Sequence, residues 1–438
     1  MFSDFDDEPQ DTQHAYDYDP SQGRTHVIDS DGWSIGVQNG DPSGVPSGFH
    51  PSTWMQNVHI PDHDNRGSTQ SRNISTVDIA IVRNILKNQQ IRTMCVSPYS
   101  LKMVLIPLMY GLKKSSDIYS KMTKFLQLPS NMNENELTSL ITNNRNKIQQ
   151  LEDVNMYSTI LINDIYQLQP EYVKLVSAFL DDITAISPTE VVKRVNTLAE
   201  KHTRGKIKEV LKDGDIDKNL FALAIMNIIH FKDDWVNKFE PSYTKSKPFT
   251  TSRGKHVLVP QMYHKFETTD YYENDQFQMI ELPFEHSCVF GVILPNSTSS
   301  VNQIKLSKLN EHINRMKLNF VKYNVGVQLP KFKQEIELDL VEYLKPMLPE
   351  LFAGGYFDRM VVTERKDLCV GKFVQKVSFE IDETGAEGSA VTVAVLSFRC
   401  TPHSSTPFKK FTADHTFIYY IRNTITNGIL FYGIYDGN

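Results

Sequence analysis

Apolar side chains recur at helical spacing in the stretch of the chain that begins at Ser75. Val77, Ile81 and Ile85 fall on one face, which predicts an amphipathic helix with Ser75 or Thr76 as its cap. Other helices are predicted after Pro98, with Ser97 as the N-cap and Pro107 as a kink, and over Glu134–Glu152 and Thr189–Lys201.

Beyond Asn219 the pattern changes to short apolar runs separated by turn residues. Leu220–Phe231, LFALAIMNIIHF, is almost continuously apolar, which is typical of a strand buried on both faces or of a buried helix. Strand-sized runs follow in FQMIELPF, CVFGVILP, YNVGVQLPKF, KFVQKVSFEI, FIYYI and GILFYGIY. Helices first and strands later, without regular alternation, predict an α+β fold.

Residues 1–71 follow neither period and have a different composition. The first seventy residues contain twelve acidic residues, two arginines, six prolines and seven glycines. Their net charge is −10, so the rest of the chain carries +4. We expect 1–71 to be a disordered acidic extension, because it has too little apolar surface to offset the entropy of ordering, and 72–438 to form the folded domain. A solvating extension without a specific partner is the simpler interpretation; Trp33 and Trp54 are the candidate contacts if a partner exists.

Composition and motifs argue against several classes of function. The net charge of −6 argues against a surface built for nucleic acid, and no apolar run approaches the roughly 18 residues of a membrane helix. The sequence lacks a GxSxG elbow, an HExxH motif, a Walker loop and an EF-hand pattern, so we predict no enzyme activity, no metal and no other cofactor. Cys400 and His403 are close in sequence, but the surrounding TPHSSTP is typical of an exposed loop rather than a catalytic pocket.

The cysteines and the amino terminus bear on the compartment. Cys95, Cys288, Cys369 and Cys400 have neither paired nor metal-binding spacing, so we expect free thiols. The start MFSDFDDEPQ lacks the basic and apolar parts of a secretory signal. Both observations favour an intracellular location. Glycosylation triplets at Asn73 and Asn296 point weakly the other way, and an extracellular location stays open as the alternative.

The segment Ile381–Ser405 combines the composition of a strand with the ending of a loop. Its middle, GSAVTVAVLS, is small and β-branched, without charge or proline, and such segments pair readily with an open sheet edge. It leads through a single arginine, Arg399, into the polar run TPHSSTP. The pattern predicts a strand-forming segment that is joined directly to a loop.

Several ordered sequence blocks resemble the serpin family. NIIHFKDDW at Asn227–Trp235 resembles the signature N-A-[IV]-Y-F-K-G-x-W, and Phe411–Gly433 resembles the serpin carboxy-terminal strands. VSPYS, VNTLAEKHTRGKIKEVL, VPQM, LPF…VILPN and LPKF are similar to further serpin blocks in the family order. The resemblance spans about residues 72 to 435. It implies one domain with three β-sheets, eight or nine helices and an exposed reactive-centre loop at about 383–410. It also implies a monomer with loop–sheet polymerisation as a hazard.

In inhibitory serpins the target protease cleaves this loop, whose first half then inserts as a central strand of a large sheet. Alternate positions from Ala386 to Leu396 are small until the last, and no proline occurs between Gly385 and Thr401, as a central strand requires. Gly388, in place of alanine, is expected to slow insertion. The resemblance implies a hinge formed by Glu383, Gly385, Ala386, Glu387, Gly388, Ser389 and Ala390.

The family usually places the cleaved bond fourteen residues after the hinge glycine, Gly385. That residue is Arg399, so the predicted reactive bond is Arg399–Cys400. Arginine suits a trypsin-like serine protease, whose primary pocket ends in a carboxylate. Phe398 keeps open a papain-like cysteine protease as the target, since such enzymes favour a bulky apolar residue before the cleaved one. A serpin-fold binding protein without inhibitory activity is a further alternative, against which the hinge composition argues.

In serpins two serines, an asparagine and a histidine form a hydrogen-bonded shutter where the large sheet opens. The resemblance assigns these positions to Ser97, Ser100 and Asn196, with Gln375 in place of the histidine. Glutamine donates and accepts hydrogen bonds, so we expect the network to persist. Three further departures, expected to affect inhibition more than the fold, are Leu198 for tryptophan, Asp233 for glycine and Thr416 for proline.

Overall fold

The computed structural model describes residues 16–19, 24–28, 34–37, 76–86, 92–128, 133–150, 154–203, 205–217, 221–297, 301, 304–318, 322–362, 367–386 and 407–437. The chain forms two compact units, Met1–Gln70 and Ser71–Asn438.

The smaller unit contains a three-stranded antiparallel sheet that the sequence analysis does not predict. Its strands are β1 (Tyr16–Asp19), β2 (Arg24–Ile28) and β3 (Ser34–Val37). Val27 and Ile35 are register partners, and such β-branched residues favour strands even in short segments. The expectation of disorder therefore misses these three segments, and for the other residues of 1–71 it stays a prediction.

Helices dominate the first part of the larger unit. Ser97 caps α2 by accepting a hydrogen bond from the backbone N–H of Ser100 at 3.3 Å, and Pro107 lies inside that helix. The predicted helices near Ser75, after Pro98 and in the two later segments are confirmed as α1, α2, α4 and α6. The described residues form eight α-helices: α1 (Thr76–Leu86), α2 (Pro98–Gly111), α3 (Asp117–Phe125), α4 (Glu134–Gln149), α5 (Pro170–Val176), α6 (Val191–His202), α7 (Leu309–Leu318) and α8 (Leu340–Leu344).

The strands of the larger unit lie mostly in its second part. They are β4 (Met94–Val96), β5 (Val154–Asn163), β6 (Asp182–Ile186), β7 (Leu223–Phe231), β8 (Asp233–Asp234), β9 (Lys245–Thr250), β10 (His256–Glu273), β11 (Phe277–Pro283), β12 (Cys288–Pro295), β13 (Tyr323–Pro330), β14 (Phe332–Asp339), β15 (Val370–Ile381), β16 (Gly385–Ala386), β17 (Phe408–Thr412), β18 (Phe417–Asn423) and β19 (Ile429–Tyr435). The predicted α+β class is confirmed.

Nine of these strands form a continuous sheet in the order β17-β13-β10-β11-β12-β18-β19-β4, with β9 also on β10. The register of β10 shifts between Phe266 and Thr269. Before the shift β10 pairs with β9 and β13, and after it β10 pairs with β11 and keeps a single pair with β13, Thr269–Tyr323. The sheet therefore has two parts that share β10, a four-stranded part (β9, β10, β13, β17) and a six-stranded part.

The seven-stranded sheet has the order β6-β5-β7-β15-β16-β8, with β14 paired to β15. At its centre β7 and β15 run parallel, from the Leu223–Val370 pair to the His230–Ser378 pair. Their outer neighbours β5 and β14 are antiparallel to them. A new strand between β7 and β15 could therefore run antiparallel to both of them. Between β5 and β7, or between β15 and β14, it would be parallel to one neighbour.

The core lies on both faces of the seven-stranded sheet. Every residue of β7 is buried, which confirms a strand covered on both sides. Ile225 and Ile229 belong to the main core with α2, whereas Ala224, Met226 and Ile228 face a second apolar cluster with α6. The described cysteines are free thiols, with Cys95 and Cys288 buried.

Candidate functional site

A buried polar cluster joins the two central strands of the seven-stranded sheet. Gln375 of β15 and Asn227 of β7 are register partners, and the Gln375 amide nitrogen lies 2.7 Å from Asn227 Oδ1. The same nitrogen lies 3.0 Å from the carbonyl oxygen of Ser97 and 3.0 Å from Ser100 Oγ. Gln375 Oε1 accepts a hydrogen bond from the backbone N–H of Ser97 at 2.9 Å. The expectation that glutamine can maintain this network agrees with the geometry.

Asn227 connects the cluster to the next strand and to α2. Its amide nitrogen donates to the Ser100 carbonyl at 3.0 Å and to Ser158 Oγ of β5 at 2.9 Å. Its Oδ1 also accepts from Ser100 Oγ at 2.5 Å. We call Ser97, Ser100, Ser158, Asn227 and Gln375 the shutter cluster; all five are fully buried.

The sequence-based choice of Asn196 for this cluster is wrong. Asn196 lies on α6, where its amide donates to the Leu211 carbonyl at 2.7 Å and accepts from the backbone N–H groups of Val210 and Leu211. These hydrogen bonds hold the segment after α6 against that helix and do not join strands of the sheet. Asn227 begins the NIIHFKDDW block, but only the register of β7 against β15 places it opposite Gln375.

The hinge begins with a tight turn at the end of β15. Asp382 Oδ1 accepts hydrogen bonds from the backbone N–H groups of Thr384 and Gly385, and the Asp382 N–H donates to the Gly385 carbonyl at 2.9 Å. The turn reverses the chain, so that Ala386 pairs antiparallel with Ile381. On its other side β16 pairs antiparallel with β8.

Gly385 and Ala386 are therefore part of the sheet and not of an exposed loop. Ala386 is fully buried, which corrects the expectation that the exposed loop begins near residue 383. A Cβ atom on Gly385 would lie 2.1 Å from the Asp233 carbonyl oxygen and 2.5 Å from Asp234 Cα, so only glycine fits this approach. At the other end of the predicted loop, Phe408 already begins β17.

Glu383 holds the hinge turn to the neighbouring sheet. Its carboxylate accepts from Lys331 Nζ at 2.8 Å and from Thr244 Oγ1 at 2.7 Å. Partial burial opposes ionisation, but these hydrogen bonds outweigh it and lower the pKa of Glu383 below its ordinary value. Burial opposes charging of Lys331 too, yet Glu383 raises the pKa of that lysine. Both groups are charged near neutral pH.

Trp235 and Asp233 brace the turn from the β7–β8 side. The Trp235 backbone N–H donates to the Thr384 carbonyl and its indole N–H to the Asp382 carbonyl, each at 2.8 Å. Asp233, which stands at the signature glycine position, is buried and accepts from the backbone N–H of His286 at 3.2 Å. Aspartate in place of the signature glycine thus adds a side-chain hydrogen bond beside the hinge.

The remaining predicted site residues lie outside the described part of the chain: Glu387, Gly388, Ser389, Ala390, Phe398, Arg399 and Cys400. Among the described residues, no group of three or more His, Cys, Asp or Glu side chains is arranged to hold a metal ion. No described helix is both long and apolar enough to cross a membrane.

A family model described as serpin (serine protease inhibitor) matches residues 73–436. The chain belongs to the serpin family. A serpin-like protein of Acanthamoeba polyphaga mimivirus is 30% identical over 384 residues, covering 84% of this chain and 89% of that protein. The leukocyte elastase inhibitor of Xenopus laevis is 27% identical over 375 residues, covering 81% of this chain and 96% of that inhibitor.

Solved serpin structures share the fold. The native thermophilic serpin tengpin aligns with a TM-score of 0.73 at 19% identity, covering 85% of this chain and 96% of that one. Serpin48 of the insect Tenebrio molitor aligns with a TM-score of 0.70 at 22% identity, covering 85% of this chain and 100% of that one. Membership in this family of protease inhibitors supports an inhibitory rather than an enzymatic role for the chain.

Proposed function

We propose that this serpin is a suicide-substrate inhibitor of a trypsin-like serine protease, cleaved at Arg399–Cys400 and acting by insertion of its reactive loop. The observation that carries the proposal is the direction of the chain at the hinge. After the turn at Asp382–Gly385, Ala386 already lies antiparallel between β15 and β8. Insertion would continue this antiparallel pairing along β15 and β7.

The register of the hinge predicts where each inserted residue would lie. Ala386 pairs with Ile381 on one side and with Asp233 on the other. Ile381 and Asp233 are as far apart in sequence as Gln375 and Asn227, which are partners on β15 and β7. If both antiparallel pairings continue along the inserted strand, Thr392 comes to lie between Gln375 and Asn227. Its hydroxyl group would offer a donor and an acceptor to the two amides that insertion separates.

The same register supports burial of both faces of the new strand. Val391, Val393 and Val395 would align with Ile228, Met226 and Ala224, the β7 residues that face the apolar cluster under α6. Alanine, glycine and threonine would occupy the alternate positions that face α2. One parallel ladder would be replaced by two antiparallel ladders, which satisfy more backbone groups and are slightly more stable per residue.

Opening the sheet must break the shutter cluster. Neighbouring strands lie about 4.8 Å apart, so an inserted strand would nearly double the separation of β7 and β15 and break the 2.7 Å contact between Gln375 and Asn227. The cluster would therefore keep the uncleaved sheet closed, and the Glu383–Lys331 pair would hold the hinge turn in place. Cleavage frees the loop to replace these contacts with a full strand.

The chemistry is that of the protease. Its serine attacks the carbonyl carbon of Arg399, the bond to Cys400 nitrogen breaks, and the new amino terminus takes the proton that the catalytic histidine received from the serine. Insertion would then carry the acyl-enzyme away and distort its oxyanion hole. Loss of one oxyanion donor slows such a step about 10²- to 10³-fold, which would leave the ester trapped.

The test is incubation with trypsin and with papain, followed by denaturing gels and sequencing of the released fragment. We expect an adduct with trypsin that survives detergent, together with a 39-residue fragment that begins CTPHSST. Cleavage at Arg399 without an adduct would reduce the protein to a substrate and contradict the proposal.

A second candidate target is a papain-like cysteine protease. Phe398 favours it, because these enzymes select a bulky apolar residue before the cleaved one. An adduct with papain that forms faster than the trypsin adduct, as a thioester to Arg399, would select this candidate.

A further inference from the structure

An aspartate and a histidine form a pair beside the hinge. Asp233 Oδ1 lies 3.0 Å from His286 Nδ1, and Asp233 Oδ2 accepts a hydrogen bond from the backbone N–H of His286 at 3.2 Å. The Asp233 side chain is fully buried, whereas the His286 side chain is 59% exposed. A buried carboxylate is costly unless it is hydrogen-bonded or paired with a cation. Solvent protons reach the histidine, so its protonation state decides how well the buried carboxylate is compensated.

The pair lies on the strand that receives the hinge. Asp233 of β8 is the register partner of Ala386 in β16. On the other side of β8, the backbone N–H of Glu285 donates to the Asp234 carbonyl at 2.9 Å. β8 is therefore held between the hinge and the β11–β12 turn, which carries His286. The contact between Asp233 and His286 joins the side chains of β8 and this turn.

The position of β8 matters because insertion would begin there. In the structure β16 comprises Gly385–Ala386, so the ladder that starts the insertion is short. Short strands at the end of a sheet open locally at little cost in free energy. If β8 leaves the hinge, the loop loses the pairs from which further pairing would extend. The acyl-enzyme would then be hydrolysed before the loop is inserted.

We infer that Asp233 and His286 are positioning residues for loop insertion: the protonated histidine holds β8 beside the hinge, so that the inhibitor traps its protease more efficiently in mild acid than above neutral pH. The inference rests on the proposed function, because the position of the hinge affects inhibition only if the loop inserts. Glycine, the residue that the family signature has in place of Asp233, has no side chain to form this pair.

The charged groups around the pair favour the protonated histidine. They are Asp234 on β8, Lys238 after it, Glu285 beside His286, and Asp382, Glu383 and Lys331 at the hinge turn. The Asp234 carboxylate lies 2.6 Å from Lys238 Nζ, and this hydrogen bond raises the pKa of Lys238, with further contributions from Glu285 and Asp382. Acids outnumber lysines here, and negative surroundings favour the charged form of a histidine. Histidines titrate between about pH 5 and 8, so the pair is strongest in mild acid and weakens as the pH rises through that range.

The test compares the wild type with His286→Gln, which can still donate a hydrogen bond to Asp233 but takes up no proton. His256→Gln is the matched control, because His256 is exposed and its partner is the neutral hydroxyl group of Thr250 at 3.1 Å. Each protein is incubated with trypsin between about pH 6 and about pH 8.5, and denaturing gels give the ratio of cleaved to trapped inhibitor. All three proteins meet the same enzyme, so the pH dependence of trypsin cancels in the comparison.

We expect the ratio of cleaved to trapped inhibitor to be at least twofold higher for His286→Gln than for the wild type near the acid end of this range. At the alkaline end, where His286 is neutral, the two ratios should be equal. The control should follow the wild type at every pH. Asp233→Asn, which keeps the shape of the side chain but removes its charge, should lose the same pH dependence and serves if His286→Gln fails to fold.

Trp235 reports the state of the hinge without a protease. Its backbone N–H and its indole N–H both donate to the hinge turn. With Trp33 and Trp54 replaced by phenylalanine, tryptophan emission of the intact protein comes from Trp235 alone. We expect this emission to change between about pH 5 and 8 in the wild type and in His256→Gln, and to stay constant in His286→Gln.

The other outcomes separate the inference from the proposed function. If His286→Gln raises the ratio by the same factor at every pH, or leaves it at the wild-type value, the inference is overturned and the proposed function stands. An emission change in His286→Gln equal to that of the wild type would also overturn the inference. If the wild type traps no trypsin at any pH, the proposed function fails and the inference fails with it.

Discussion

Replacing Gln375 with leucine tests whether the shutter cluster keeps the sheet closed. The change removes the four hydrogen-bond contacts of the glutamine amide, but most of the groups that the amide contacts keep another hydrogen-bond partner. The Ser97 carbonyl still accepts from the Leu101 N–H, and Asn227 Oδ1 still accepts from Ser100 Oγ. The backbone N–H of Ser97 is the group that loses its partner.

The expected loss follows from this count. One buried unsatisfied N–H costs about 1–3 kcal/mol and the other lost hydrogen bonds add about 1 kcal/mol, so we expect the free energy of unfolding to fall by about 2–4 kcal/mol. At about 2 cal/mol/K of unfolding entropy per residue, the melting temperature of a domain of this size falls by roughly 3–5 °C. Thermal unfolding of the intact protein, followed by circular dichroism, measures the shift. Heating below the melting temperature should also produce loop–sheet polymers sooner.

Gln334 on β14 supplies the matched control. It is 1% exposed, and its Oε1 accepts no hydrogen bond from any residue that the structure describes. Gln334→Leu should therefore lower the melting temperature by less than half as much. Equal shifts in the two variants, or no shift for Gln375→Leu, would refute the claim that the cluster restrains the sheet.

Further predictions concern the loop and its hinge. Thr392→Arg should turn the inhibitor into a substrate, because the inserted register would bury a charge between Gln375 and Asn227, while Ser404→Arg beyond the cleaved bond should leave the adduct yield on denaturing gels unchanged. Arg399→Ala should abolish the trypsin adduct, and persistence of the 39-residue fragment with trypsin would contradict the assigned bond. Glu383→Gln should lower the melting temperature near pH 7. Because the pKa of Glu383 is lowered in the folded protein, its contribution is complete above the ordinary value of 4.5 and is lost as the pH falls further, so the two proteins should converge in acid. A constant difference down to pH 3 would contradict this.

Much of the fold could be predicted because its signals are local. The helical period beginning at Ser75, the cap at Ser97 and the unbroken apolar run of β7 each follow from neighbouring residues. Gln375 could be assigned to the cluster because it lies just before a recognisable block. The resemblance then supplied the arrangement of the sheets, which no local pattern contains.

The errors concern contacts between distant segments. Choosing Asn227 over Asn196 requires the register of two strands that are about 150 residues apart in sequence. The burial of Ala386 depends on a turn stabilised by Asp382 and on the approach of β8, whereas the local sequence reads only as small and flexible.

The most direct test of the account is the heat resistance of the protein before and after cleavage of Arg399–Cys400. Cleaved and intact protein are purified and heated in parallel under the same conditions. If the freed segment becomes the central strand of the seven-stranded sheet, the cleaved protein will remain folded well above the temperature at which the intact protein melts. A cleaved protein that melts at or below the temperature of the intact one would contradict insertion, and with it the proposed mechanism.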